Sequence, residues 1–158
     1  MATPNKAGRK TPAVPKVVIS RVIQAPCALV YQMWTEPAHL AQWFGPEGME
    51  CRSVSADIKV GGAFRIHVSS KKGDHIAIGK YQKIVRNRRL QFTWSFEHYA
   101  MPDSVVNVDF EDLGKTTRLT LTHQGLPDRE DVREHKRGWT SVLRKFAGLM
   151  KQGKIKSV

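Results

Sequence analysis

His135 and Trp139 stand four residues apart, the spacing that stacks two side chains on one face of a helix. An imidazole there can orient a carbonyl or hydroxyl of a bound molecule, or act as a weak general base. Trp43, Phe44, Phe64, Trp94 and Phe96 are the other candidates for contact with an apolar guest. The alternative for each aromatic is plain core packing, and for His135 a hydrogen bond to a nearby backbone carbonyl. The remaining reactive residue types are spaced against catalysis. His98 and His123 fall at strand ends and His39, His67 and His75 on outward faces or turns, so no H-x-H or H-E-x-x-H gathers metal ligands from one element. No G-x-S-x-G is present to activate a serine. Cys27 sits near a helix N-terminus, which can lower a thiol's pKa, although a buried unreactive cysteine is the commoner case. Gly61-Gly62 lacks the rest of any phosphate-cradling motif and reads as a turn between strands. We therefore expect no catalytic residue, no metal, no cofactor and no enzymatic activity.

Those side chains need a scaffold, and 158 residues make one domain of ordinary size. The net charge of +12 would suit a nucleic-acid binder if it sat on one surface. Instead Lys6, Arg9, Lys10 and Lys16 at one end and Lys151, Lys154 and Lys156 at the other, with no acid in either stretch, carry seven of those charges. The body keeps a modest excess, and no specific nucleic-acid partner is expected. Residues 1–16, with three prolines and no apolar period, read as a flexible basic extension; 17–151 form the domain, and 152–158 a basic C-terminal tail. No run approaches the roughly 20 apolar residues of a membrane span. The N-terminus has no apolar stretch after its charges, so a secretory signal is not expected and the location expected is cytoplasmic. Two cysteines without C-x-x-C spacing give no disulfide framework.

VVISRVIQ alternates as a strand with Val17, Ile19 and Ile23 facing inward. Pro26 suits the first turn of a helix in which Leu29, Val30, Met33 and Trp34 share a face. Thr35 is expected to end it and to cap a second short helix, opened by Pro37 and broken by Gly45-Pro46. The period then switches to two, with strands expected at 50–57, 63–69, 75–85, 88–98, 104–111 and 116–123. Within the fourth of these Leu90, Phe92, Trp94 and Phe96 share the buried face. A long helix follows at 129–151, capped by Asp128, with Val132, His135, Trp139, Val142, Leu143, Phe146 and Leu149 in one stripe. One apolar sheet face and one long apolar stripe imply an α+β fold in which a curved antiparallel sheet of six or seven strands grips that helix, the two short helices closing one end.

Four strings in order, WTEPAHLAQWFGPEGM, VGGAFRI, GKYQKIVRNRRLQFTW and LTLTHQGLP followed by HKRGWTSVLRKF, resemble the SRPBCC (START-like) superfamily. The branch is the one named for the C-terminal domain of the activator of heat-shock protein 90 ATPase homologue. The resemblance implies a helix-grip fold with a cavity between the long helix and the sheet. The function expected is binding of a small hydrophobic molecule there, as carrier or sensor. A chaperone-associated stress-response role, with a chaperone as partner, is the alternative, and a cyclase-like enzyme on an enclosed aromatic or polyketide substrate is the third. An apolar cavity above about 300 Å³ supports the first and third; a fully packed interior supports the second.

Overall fold

The computed structural model describes residues 14–155. The expectations for the tails fall largely on 1–13 and 156–158, outside the described residues. The elements are β1 (Val17–Ile23), α1 (Cys27–Thr35), α2 (Pro37–Trp43), β2 (Glu50–Ala56), β3 (Ala63–Ser70), β4 (Gly73–Val85), β5 (Arg89–Thr93), β6 (Ser95–Phe96), β7 (Val105–Asp112), β8 (Thr117–Gln124) and α3 (Arg129–Lys151). All strand pairs are antiparallel, in the order β1-β8-β7-β5-β4-β3-β2 with β6 on β4. This is a curled half-barrel with α3 in its concave face and the two short helices after the first strand, the helix-grip arrangement expected. Among the described residues no helix is long and apolar enough to cross a membrane.

The alternation of β1 is realised in space: Val17, Ile19 and Ile23 are buried while Val18 and Val22 face solvent. The strand expected at 88–98 is two. It breaks at Trp94, whose backbone N–H leaves the ladder for the carbonyl of Ser104 at 3.1 Å. β4 pairs with β5 from Tyr81 to Val85, with a register shift between Tyr81 and Lys83, and with β6 at Ala77 and Ile78. Gly79 lies in that stretch, and a Cβ there would meet the Thr93 carbonyl at 2.0 Å and the Phe64 ring at 2.6 Å. The close approach of the Phe64 ring to the sheet therefore requires glycine.

Three local expectations around the short helices are corrected. Pro26 is the residue before α1, with extended backbone, and not part of its first turn. Glu36, not Thr35, precedes α2, and the Thr35 hydroxyl turns back to the Tyr31 carbonyl at 2.9 Å, as threonines late in a helix do. Leu29 lies off the buried face at 36% exposure, while Tyr31 is buried beside Val30, Met33 and Trp34. The long helix follows its pattern closely. The Asp128 carboxylate accepts the N–H of Asp131 at 2.8 Å, capping a first turn that carries Glu130 and Asp131. Trp139, Val142, Leu143 and Phe146 are buried.

The C-terminal half of α3 is buried against a cluster of aromatic rings. Phe146 lies 4.4 Å from Trp43 and 6.0 Å from Trp34, ring centre to ring centre, and Trp34 reaches Phe110 on β7 at 6.4 Å. Phe146→Ala should lower unfolding free energy by about 3–5 kcal/mol, because neighbouring rings anchored on three elements cannot collapse into the hole. Leu29→Ala should stay below about 1 kcal/mol. Urea denaturation of both variants checks this, and equal losses would contradict the face assignments.

Candidate functional site

The N-terminal half of α3 does not reach the sheet so completely. Between it and β3, β4 and β6 lies a cavity of about 350 Å³. The helix contributes His135, Gly138, Trp139 and Val142; the sheet contributes Ile66, Val68, Ala77, Trp94 and Phe96; the segment after α2 contributes Phe44, Pro46 and Met49. His75, His98, Tyr99, Asp131 and Glu134 complete the lining, and of these all but Asp131 are exposed. Gly138 opens the space. A Cβ built there meets nothing within 4 Å, so the cavity begins where the helix lacks a side chain.

Five of the seven candidate residues, Phe44, Trp94, Phe96, His135 and Trp139, come together on this lining. Trp43 and Phe64 do not. Trp43 is wholly buried under Phe146, its indole N–H donating to the Met33 carbonyl at 3.0 Å. Phe64 is held against Gly79, with Phe92 at 5.4 Å and Tyr81 at 5.6 Å, and faces a separate void of about 20 Å³. Each supports a lining ring instead: Trp43 stands 5.4 Å from Phe44, and Phe64 stands 6.3 Å from Trp94.

The inner wall is built on two tryptophan–histidine pairs. Trp139 donates its indole N–H to His123 Nδ1 at 3.0 Å, and Trp94 donates to His135 Nε2 at 3.3 Å. An indole only donates, so both accepting nitrogens are unprotonated and each tautomer follows. His123 carries its proton on Nε2, toward the Ser104 hydroxyl at 2.5 Å. His135 carries its proton on Nδ1, toward the Asp131 carbonyl at 2.9 Å. The two indoles stand 4.9 Å apart and so do the two imidazoles. Burial, helped by His135 beside it, pushes His123 down to about 3. All four ring nitrogens are thus occupied within the protein. The carbonyl-bonded alternative for His135 is what its Nδ1 makes.

Several other residues sit differently from their sequence reading. His39 is fully buried on α2, not outward, with Nε2 3.4 Å from a Glu36 oxygen, and His67 is half-buried. Burial is the main cause that pushes the Cys27 thiol up, with Asp112 adding to it, so the helix terminus does not activate it. Gly61-Gly62 is held as a turn by Gly61 N–H to Tyr81 O at 2.8 Å and Tyr81 N–H to Gly62 O at 2.9 Å. Among the described residues no three His, Cys, Asp or Glu side chains converge as metal ligands would. Gly138 and the rim residues His75, His98, Tyr99, Asp131 and Glu134 were not anticipated. A glycine inside a helix, about 1 kcal/mol worse than alanine, is a readable signal, but Gly148 in the same helix carries it too and lies off the lining.

Residues 24–151 match the family model described as Activator of Hsp90 ATPase homolog 1-like protein. Among solved structures, protein CV1439 from Chromobacterium violaceum is similar at a TM-score of 0.77 and 27% identity, over 86% of this chain and 96% of its own. SPO3351 from Silicibacter pomeroyi gives 0.76 and 25%, over 88% of this chain and 99% of its own. DynU16, described as a protein in the dynemicin biosynthetic locus, gives 0.73 and 25%, over 91% of this chain but 49% of its own. No curated protein matches the chain in sequence.

His123 makes stability depend on pH in a definite direction. Its folded-state value near 3 lies below the ordinary value near 6.5, so in mild acid the unfolded chain takes up a proton that the folded one refuses. Stability from this group is present above about pH 6.5 and drains away as pH falls toward 3. Between pH 7 and pH 5 the protein should lose about 2 kcal/mol more than His123→Gln does. Denaturant titrations of both proteins at the two pH values measure it, and parallel losses would contradict the buried neutral imidazole.

Proposed function

The chain belongs to the family of Activator of Hsp90 ATPase homolog 1-like proteins, and from that membership and the cavity we propose that it holds a small hydrophobic molecule between α3 and the sheet, as a carrier or sensor. The SRPBCC fold commonly binds hydrophobic ligands. The observation that carries the reading is the cavity itself: about 350 Å³, walled by Phe44, Trp94, Phe96, Trp139, Ile66 and Val68, and opened by a helical glycine. Pockets of this size and lining bury small apolar ligands. A fully packed interior would have favoured a role confined to the protein's outer surface, as the chaperone-associated alternative requires.

The reading is of binding without chemistry. A general base needs a free lone pair, and those of His123 and His135 receive tryptophan N–H groups. Similarity to DynU16, whose description places it in a biosynthetic locus, favours one second reading: an enclosed aromatic or polyketide guest that the protein holds or helps to cyclise. Both readings use the same cavity. A cytoplasmic location goes with them, where Cys27 and Cys51 stay as free thiols.

Gly138 supplies the decisive variant. Gly138→Leu puts a side chain into the cavity from a position where a Cβ meets no neighbour, and it improves helix propensity by about 1 kcal/mol. The variant should fold with a melting temperature at or above that of the parent. An environment-sensitive apolar dye should bind the parent at about micromolar Kd, worth roughly 8 kcal/mol, and the variant at least about tenfold more weakly. Dye affinity unchanged by the plug would sink the cavity reading. Native mass spectrometry of the parent, looking for a co-purified molecule absent from Gly138→Leu, supplies the guest.

A further inference from the structure

We propose that the guest ends in a basic nitrogen, a protonated amine or quaternary ammonium, held at the mouth between Asp131 and Glu134 while its apolar body fills the cavity. The inference rests on the cavity reading and adds the chemistry of the ligand's head. Lysine and arginine account for 26 of the 158 residues, and the net charge is +12. Among the described residues no lysine or arginine lines the cavity, whereas two carboxylates do. A strongly basic protein thus keeps this apolar opening clear of the lysines and arginines of its described residues and sets acids beside it.

The inner wall decides which end of a guest stays outside. Trp94, Trp139 and His135 present polar atoms there, and each is already bonded within the protein. A polar group pushed inward would go unpaired or break one of these pairs, so the polar end belongs at the mouth. At the mouth Asp131 accepts the Tyr99 hydroxyl at 2.7 Å, which fixes its position and leaves the carboxylate further acceptor capacity. Glu134 pairs with Arg137 at 3.0 Å, but the two side chains are 59% and 71% exposed, so the pair is screened and readily exchanged for an incoming cation. Stabilising the helix dipole accounts for Asp131 in the first turn and not for Glu134, one turn further along. The exposed ring of Tyr99 at the same opening adds a π face that favours a cation over an anion.

Three probes with one naphthalene body separate the terms: 1-naphthylmethylammonium, 1-naphthylmethanol and 1-naphthylacetate. Calorimetric titration at physiological salt should give the ammonium an advantage of about tenfold over the alcohol, with the carboxylate weakest. Net charge works against that order, because the protein as a whole attracts the anion. In the isosteric double variant D131N/E134Q, checked for an unchanged melting curve, the ammonium and alcohol should converge to within about threefold. A carboxylate that binds as tightly as the ammonium, or an ammonium advantage that survives in the double variant, overturns the head-group assignment. An alcohol that binds the parent and is lost in Gly138→Leu while the ammonium gains nothing leaves the cavity reading standing and removes only this one. If neither the ammonium nor the alcohol binds the parent, both readings fall.

Discussion

One helix has to cover the concave face of a seven-stranded curled sheet, and everything else in the molecule follows from how unevenly it does so. Toward its C-terminus α3 meets the sheet and the short helices through Phe146 and Leu143, both with no exposed surface, and the rings of Trp34, Trp43 and Phe110 close around them. Toward its N-terminus the sheet curls away. There the gap is bridged by Trp139 leaning on Trp94, and Gly138 beside them contributes no side chain. Dense packing at one end supplies stability, so the other end can stay hollow without unfolding the domain.

The bridge is unusual in being polar at its base. Burying two imidazoles and two indole N–H groups would be costly if any were orphaned. The arrangement avoids this by letting each tryptophan N–H choose the tautomer of one histidine, while Ser104 and the Asp131 carbonyl take the remaining protons. Every member then has a partner, and the rings are held in one orientation by directional bonds as well as by packing. A cavity wall fixed in this way keeps its shape when empty, which favours binding because little ordering entropy remains to be lost.

Much of this was readable from the residues. The period switch near residue 50, the inward set Leu90, Phe92, Trp94 and Phe96, and the Asp128 cap all survive, because each rests on a local rule that tertiary packing did not override. The misreadings have a common origin. Trp43 and Phe64 have the same chemistry as Phe44 and Trp94, and only the curl of the sheet decides which ring of each pair meets the cavity and which lies behind it. His39 and His123 are polar residues buried by distant contacts, and nothing in their immediate sequence marks them. The break of the strand at Trp94 needs the Ser104 carbonyl, ten residues away, to take its N–H. Gly138 went unread as well: a helical glycine is conspicuous by its local cost, but Gly148 in the same helix is equally so and lies off the cavity lining.

The pairing of β1 with β8 places the first strand of the domain beside the last, with Val18 opposite Thr122. At the ~5–20 residues per second of synthesis, the 103 residues between them take roughly 5–20 s to appear. Throughout that interval the nascent chain displays Val17-Val18-Ile19, three β-branched residues in a row, with no strand to receive them. Closure over so long a separation also slows the final folding step relative to the hairpins formed by neighbouring strands. On the ribosome both edges of β1 are open to the same strand of another chain, whereas in the finished sheet, where β1 is the terminal strand, β8 covers one of them. Lys16 and Arg21 flank that run, and their like charges oppose such a pairing until β8 arrives.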